Sequence, residues 1–342
     1  MIDATVERNF ALYVLLYQAR DAMAKVAGRE TEKYGISLMQ MAALYVVKNA
    51  AGPTTPAEIA RWLFREPNGV SGMLERMEKK GFVTRTKDLD RKNLIRVAMT
   101  EEGEEVYRRV TELGAMARLL SNLSKEELNN FRIYLEKLRD RGLEDLGTEY
   151  GLRFAGDSGP YLLRDRPMPL ALLRQARDAM ARVFENEARR YGVSFMQASV
   201  LIVVKSIKGP ATPAEIARWL FREPHGVSGL LERLEKKGLV KRTKDLDRRN
   251  LIRVVLTEEG ETIYRQVGEM EALSGIFSCL SQEELNNFEI YLWKLRDKAV
   301  EELGITNKLP FPEKPTWSQQ QERRSGFTNK IVDAFFGRFS RQ

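Results

Sequence analysis

The chain has 342 residues, 43% hydrophobic and 30% charged, with a formal net charge of +8, one cysteine and one histidine. That length accommodates two domains, each with its own core, and the composition is that of a globular protein. A lone cysteine excludes an internal disulfide, and a lone histidine excludes a histidine-based metal cluster or catalytic dyad.

The charge is localised. Residues 307–342 carry a net +4, Val83–Val97 a net +3 and Val240–Val254 a net +4, leaving the rest of the chain slightly acidic. Two matched basic stretches are the footprint of contact with a polyanion. The apolar run Phe10–Tyr17 is too short to span a bilayer. No small-residue cleavage site follows it, so the expected location is the cytoplasm.

In chain order, an apolar and aromatic stripe predicts a helix over Asn9–Tyr34, and a second helix follows over Leu38–Lys48. Thr55-Pro56-Ala57-Glu58 is a capping box with proline at the first helical position, opening a short helix that ends near Arg65. A further helix starts at Pro67, turns Val70, Leu74 and Met77 inward, and stops at Gly81. Phe82–Thr86 and Leu94–Thr100 alternate and frame a polar loop, which predicts a two-stranded hairpin. Thr100 caps one long helix reaching Ser121, and Ser124 caps the last, with Leu128, Phe131, Leu135 and Leu138 on its buried face.

The pattern then repeats. Tyr13–Gly147 aligns without a gap to Leu170–Gly304 at an offset of 157, and Thr55–Gly81 matches Thr212–Gly238 at 24 of 27 positions. Between Glu104–Glu127 and Glu261–Glu284 agreement falls to 11 of 24, so the copies diverge in helices expected to pair them. A period this long marks a duplicated domain. The expected organisation is a domain over 1–147, a glycine- and proline-rich linker over 148–169, a second domain over 170–304, and a basic tail over 305–342. In the tail, Phe327, Ile331, Phe335 and Phe339 at i, i+4 spacing predict a short basic amphipathic helix. Its expected role is docking on a partner protein or, less favoured, a membrane surface.

The most specific portion lies after the second short helix. It comprises Glu75-Arg76-Met77-Glu78-Lys79-Lys80-Gly81, then Asp88-Leu89-Asp90-Arg91-Lys92, then Leu94-Ile95-Arg96-Val97 and Thr100-Glu101-Glu102-Gly103. The second copy matches through Glu235–Gly238, Asp245–Arg249 and Leu256–Gly260. These motifs resemble the MarR family of bacterial transcriptional regulators. The resemblance implies a mainly α fold with small β wings, an α+β winged helix. Two MarR-like winged-helix domains in one chain would then form an intramolecular pseudo-dimer. It also implies that Pro67–Lys80 and Pro224–Lys237 are recognition helices, and that Arg91 and Arg248 tip the wings with Asp90 and Asp247 in support. Elementary geometry agrees, since a helix fits the major groove and a basic hairpin reaches phosphates or the minor groove.

The expected partner is double-stranded DNA. The expected contacts are Thr55, Asn68, Ser71, Arg85, Lys87, Arg91 and Lys92 in the first copy, and Thr212, His225, Ser228, Arg242, Lys244, Arg248 and Arg249 in the second. Asn68 and His225 occupy the one exposed recognition-helix position that differs between copies. Trp62 and Trp219 are core candidates; their alternative role, as walls of a cleft for a small aromatic or anionic ligand, follows from what many relatives sense. Cys279 is expected to be an inert thiol. Two departures from the family pattern stand out, because Gly72 and Gly229 follow Ser71 and Ser228 where relatives often carry arginine. With Gly69 and Gly226 they leave two readings open, close backbone approach to DNA or a relaxed surface that binds little. The corresponding functions are a DNA-binding regulator, expected to be a repressor, and a ligand sensor or adaptor with weakened DNA recognition. No nucleophile–base pair, phosphate loop or metal-spaced cluster is present, so neither an enzyme nor a cofactor is expected.

Overall fold

The computed structural model describes residues 4–49, 54–87, 94–112, 114–147, 168–207, 209–244, 252–268 and 271–305, all within one compact unit. The first copy contributes α1 (Ala4–Glu32), α2 (Leu38–Asn49), α3 (Pro56–Trp62), α4 (Pro67–Lys79), β1 (Val83–Lys87), β2 (Ile95–Met99), α5 (Glu101–Glu112), α6 (Ala115–Leu120) and α7 (Lys125–Asp145). The second contributes α8 (Met168–Arg190), α9 (Phe195–Ser206), α10 (Pro213–Trp219), α11 (Pro224–Lys236), β3 (Val240–Lys244), β4 (Ile252–Leu256), α12 (Glu258–Gly268), α13 (Glu271–Phe277) and α14 (Gln282–Glu302).

Each winged helix closes on its own apolar face. Ile36, Leu44, Ile59, Leu63, Val70, Leu74, Met77, Val83 and Val97 form one buried cluster under α2, α3, α4 and the hairpin. The strands pair antiparallel, with Arg85 opposite Val97 and Lys87 opposite Ile95. The Val97 N–H also donates to the Thr54 carbonyl at 2.8 Å, and Val254 repeats this with Ala211 at 2.8 Å, so the base of each wing is tied to the entry of the helix-turn-helix. Thr100 caps α5 through the Gly103 N–H at 3.0 Å. Gly103 is obligatory there, because a Cβ would stand 2.0 Å from the Phe82 carbonyl oxygen.

The single helix expected from Thr100 to Ser121 is in fact two. Gly114 takes a left-handed conformation, φ 71°, and breaks it into α5 and α6. A lone glycine in an otherwise periodic stretch is compatible with either outcome, and here the chain uses its freedom to turn.

The copies interlock through their ends. The most extensive helix packing pairs α1 with α14 and α7 with α8, each a first-copy helix against a second-copy helix. Equivalent residues meet across a pseudo-twofold axis: Phe131 stacks on Phe288 at 5.7 Å and Tyr134 on Tyr291 at 6.2 Å. Flanking them, Lys137 bonds Glu284 and Lys294 bonds Glu127, both at 2.6 Å. One polypeptide thus builds the symmetric core that a homodimer would assemble from two.

Candidate nucleic-acid interface

The helix-turn-helix begins with the capping box read from sequence. The Thr55 N–H donates to Glu58 Oε2 at 2.8 Å, and the Glu58 N–H donates to Thr55 Oγ1 at 3.2 Å. In the second copy the Glu215 N–H donates to Thr212 Oγ1 at 3.1 Å. Both threonines, expected at the DNA, therefore also cap their helices, a role worth about 1 kcal/mol each. The turn that follows is strained: Phe64 and Phe221 hold φ of 49° and 50°, left-handed and costly for a bulky residue by about 1–2 kcal/mol. Both rings are buried, so packing holds the turn.

The recognition helix α4 buries Val70, Met73, Leu74 and Met77 and leaves Asn68, Gly69, Ser71, Glu75 and Arg76 exposed. In α11 the exposed set is His225, Gly226, Ser228, Glu232 and Arg233. The Ser228 hydroxyl turns back to the Pro224 carbonyl at 3.1 Å. Beyond the local helix backbone, nothing lies within 4 Å of where a Cβ would stand at Gly69 or Gly226, so internal packing does not demand glycine at either position. A Cβ at Gly72 or Gly229 would lie 3.8 or 3.9 Å from Nη1 of Arg76 or Arg233. Each arginine thus folds over a glycine one turn earlier, so an arginine does reach this face, from a different position than the family pattern suggests.

The wing strands divide the expected cations. Arg85 is half-buried and spent internally, its backbone N–H on Glu78 Oε1 at 3.0 Å and its guanidinium on Glu78 Oε2 at 2.7 Å. Arg242 repeats this with Glu235 at 3.2 and 2.6 Å. The guanidinium hydrogen bond holds each glutamate below its ordinary pKa. These pairs lock the end of the recognition helix to its wing. Lys87 and Lys244 are exposed further along the strands. Asp90, Arg91, Lys92, Asp247, Arg248 and Arg249 lie outside the described residues, as does the tail.

Trp62 and Trp219 are half-buried. Trp62 packs edge-on against Tyr45 at 5.9 Å. Neither lines the cavity found between the copies. That cavity, about 520 Å³, is walled by Tyr13, Tyr17, Phe64, Arg65, Arg177 and Arg222, among others. Sequence reasoning missed this set, because its members converge from α1, α8, α9 and the two strained turns. Cys279 is partly buried, and burial pushes its thiol up to about 11. No described helix is long and apolar enough to cross a membrane, and the described residues hold no cluster fit for a metal ion.

Two capped helix-turn-helix units, each followed by a hairpin wing and presenting one bare helix face, define a winged-helix DNA-binding transcriptional regulator. The chain belongs to the MarR family. The family model matches twice, over residues 34–92 and 191–249. The HTH-type transcriptional regulator YwoH of Bacillus subtilis is 33% identical over 95 residues, covering 28% of this chain and 68% of that protein. YkoM of the same organism, also an HTH-type transcriptional regulator, is 25% identical over 137 residues, covering 40% of this chain and 88% of that protein. Among solved structures, the organohalide-sensing regulator RdhR-CbdbA1625 bound to 2,4-dichlorophenol is 26% identical with a TM-score of 0.38, covering 46% of this chain and 92% of that one.

Proposed function

We propose that one chain of this protein binds a whole pseudo-palindromic operator in the cytoplasm, laying α4 and α11 in successive major grooves. The wings add phosphate or minor-groove contacts through Arg91, Lys92, Arg248 and Arg249. Occupying a promoter with two reading heads excludes polymerase, so the regulator acts as a repressor, and a small aromatic or anionic ligand tunes it. The functional division follows the repeat: winged-helix domains over 1–147 and 170–304, joined by 148–169, with the tail from 305 docking a partner.

The observation that carries this reading is the pseudo-twofold core. Phe131 on Phe288 and Tyr134 on Tyr291 place equivalent helices face to face, as a dimeric regulator requires. Fusion removes the dissociation that unties a homodimer at low concentration. The alternative, an adaptor with weakened DNA recognition, draws on the internal pairing of Arg85 and Arg242.

Selecting bound fragments from random DNA, then repeating the measurement with Arg91→Ala and Arg248→Ala together, separates the two. The proposal expects an enriched pseudo-palindrome and a weaker, flatter salt dependence, about one unit of slope per lost phosphate contact. No enrichment, or a double variant that binds as the parent does, supports the adaptor.

A further inference from the structure

We infer that the pairing surface is selective for its unlike partner: the α1 and α7 face of the first half fits the α8 and α14 face of the second and rejects a second copy of itself. The inference goes beyond the regulator reading and does not depend on DNA.

In a pair of like halves, each residue would meet the counterpart, at the offset of 157, of the residue it meets here. The pairs Lys137–Glu284 and Lys294–Glu127, both at 2.6 Å, survive that exchange, because each half supplies one lysine and one glutamate at matching positions. They set the register and do not choose the partner. Three other contacts do not survive it.

The first is a charge. Arg8 on α1 donates to Asn286 Oδ1 at 2.6 Å and pairs with Glu289 at 3.5 Å, both on α14. Glu289 is 8% exposed; burial raises its pKa and Arg8 opposes the rise, so the carboxylate depends on that guanidinium. The counterpart of Glu289 is Arg132 on α7, which pairs along its own helix with Glu136 at 2.9 Å. Two first halves would set Arg8 against Arg132 twice over. Two second halves would leave each buried Glu289 without Arg8, whose offset position holds Asp165.

The second is shape. Tyr13 on α1 meets Phe184 and Phe195 of the second half edge-on, both at 5.0 Å, and all three are buried. The counterpart positions hold Leu170, Ala27 and Leu38. Like pairing would set Tyr13 against Ala27 and Leu38, or Leu170 against Phe184 and Phe195. The edge-on contacts of Tyr13 are lost either way.

The third is a ring against a charge. Tyr17 offers its face to Arg177 and Arg222 of the second half, each guanidinium 5.3 Å from the ring centre. Its counterpart is Arg174, which is 6% exposed and donates to the Leu63 carbonyl at 2.6 Å. Burial, with Arg20, Arg65 and Arg177 nearby, lowers the pKa of Arg174 to about 10. Two second halves would bury two such arginines and leave Arg177 and Arg222 without a ring. Like charges and unmatched buried groups are how a surface refuses a partner.

The test uses the full chain with one protease site placed within 148–169 and cut after purification, so both halves stay present in equal amounts. The cut protein is unfolded in urea, refolded by dilution, and its pairs are weighed by native mass spectrometry. Random re-pairing gives about one half unlike pairs, whereas a selective surface should give at least about a tenfold excess of unlike pairs over like. Arg132→Glu with Glu136→Trp, which copies the α14 residues at these positions onto α7, should raise pairs of first halves at least several-fold. In the uncut chain, Arg8→Glu should lower the urea midpoint, and adding Glu289→Arg should restore it. Random proportions, first-half pairs that do not rise in the α7 variant, or an uncut Arg8→Glu chain with the parent's midpoint would overturn the inference.

Discussion

The Gln18 side chain on α1 donates through Nε2 to the carbonyl oxygen of Trp219, 2.8 Å away at the end of α10 in the other copy. Gln175 on α8 makes the reciprocal bond to the Trp62 carbonyl at 2.9 Å. Gln18 is 0% exposed, and its Oε1 in turn accepts from Arg296 Nη1 at 3.2 Å. Each pairing helix therefore grips the helix-turn-helix of the opposite copy at the carbonyl end of its first helix, just before the strained turn.

That arrangement gives the first prediction. Gln18→Ala and Gln175→Ala should each lower stability by about 1–3 kcal/mol, because a buried amide bond is lost and a carbonyl is left without its donor. Gln18 bonds Trp219 and Arg296 whereas Gln175 bonds Trp62, so the double variant should approach additivity. Urea unfolding midpoints measure this. Midpoints equal to the parent's would mean that the cross-copy bonds carry no stability.

The glycines of the recognition helices give a second. Gly69 and Gly226 have open space around them, so Gly69→Ala and Gly226→Ala should raise helix stability by about 0.5–1 kcal/mol each. If the bare backbone approaches DNA, the same variants should weaken specific binding. A double variant that is more stable and binds equally well would mark the glycines as a relaxed surface.

Asn68 and His225 give a third. Both are exposed at equivalent positions in the first turn of the recognition helices. The preferred site should be a near-palindrome whose halves differ chiefly at the base pair facing that position. His225→Asn should symmetrise it, with a change on the scale of about 1–3 kcal/mol for a base-edge contact. Equal half-site preferences in both the parent and the variant would leave position 225 without a role in reading.

Much of this was legible in the sequence because it is local. Thr55 and Glu58 lie three residues apart, and their mutual capping needs only that spacing. The inward row Val70, Leu74 and Met77 follows from helical period, and the wing from alternation on either side of a polar loop. The offset of 157 identifies equivalent positions. It does not say which helices cross, so Gln18 against Trp219 stays hidden, as does the cavity that joins Tyr17 to Arg222. The pairing of Arg85 with Glu78 was hidden for a related reason. Both charges read as solvent-facing until the strand is folded back against the end of α4. Gly114 belongs to a different class. Its left-handed turn is a choice between two conformations that glycine takes about equally well.

The central claim, that one polypeptide is the whole DNA-reading unit, is tested most directly by the mass of the complex on a single selected operator. The measurement is made by native mass spectrometry at nanomolar protein. Two recognition helices spaced about one DNA turn, roughly 34–36 Å, fill one site from one chain. The account predicts one chain per duplex, unchanged on further dilution. A complex that always contains two chains, and falls apart as chains are diluted, would contradict it.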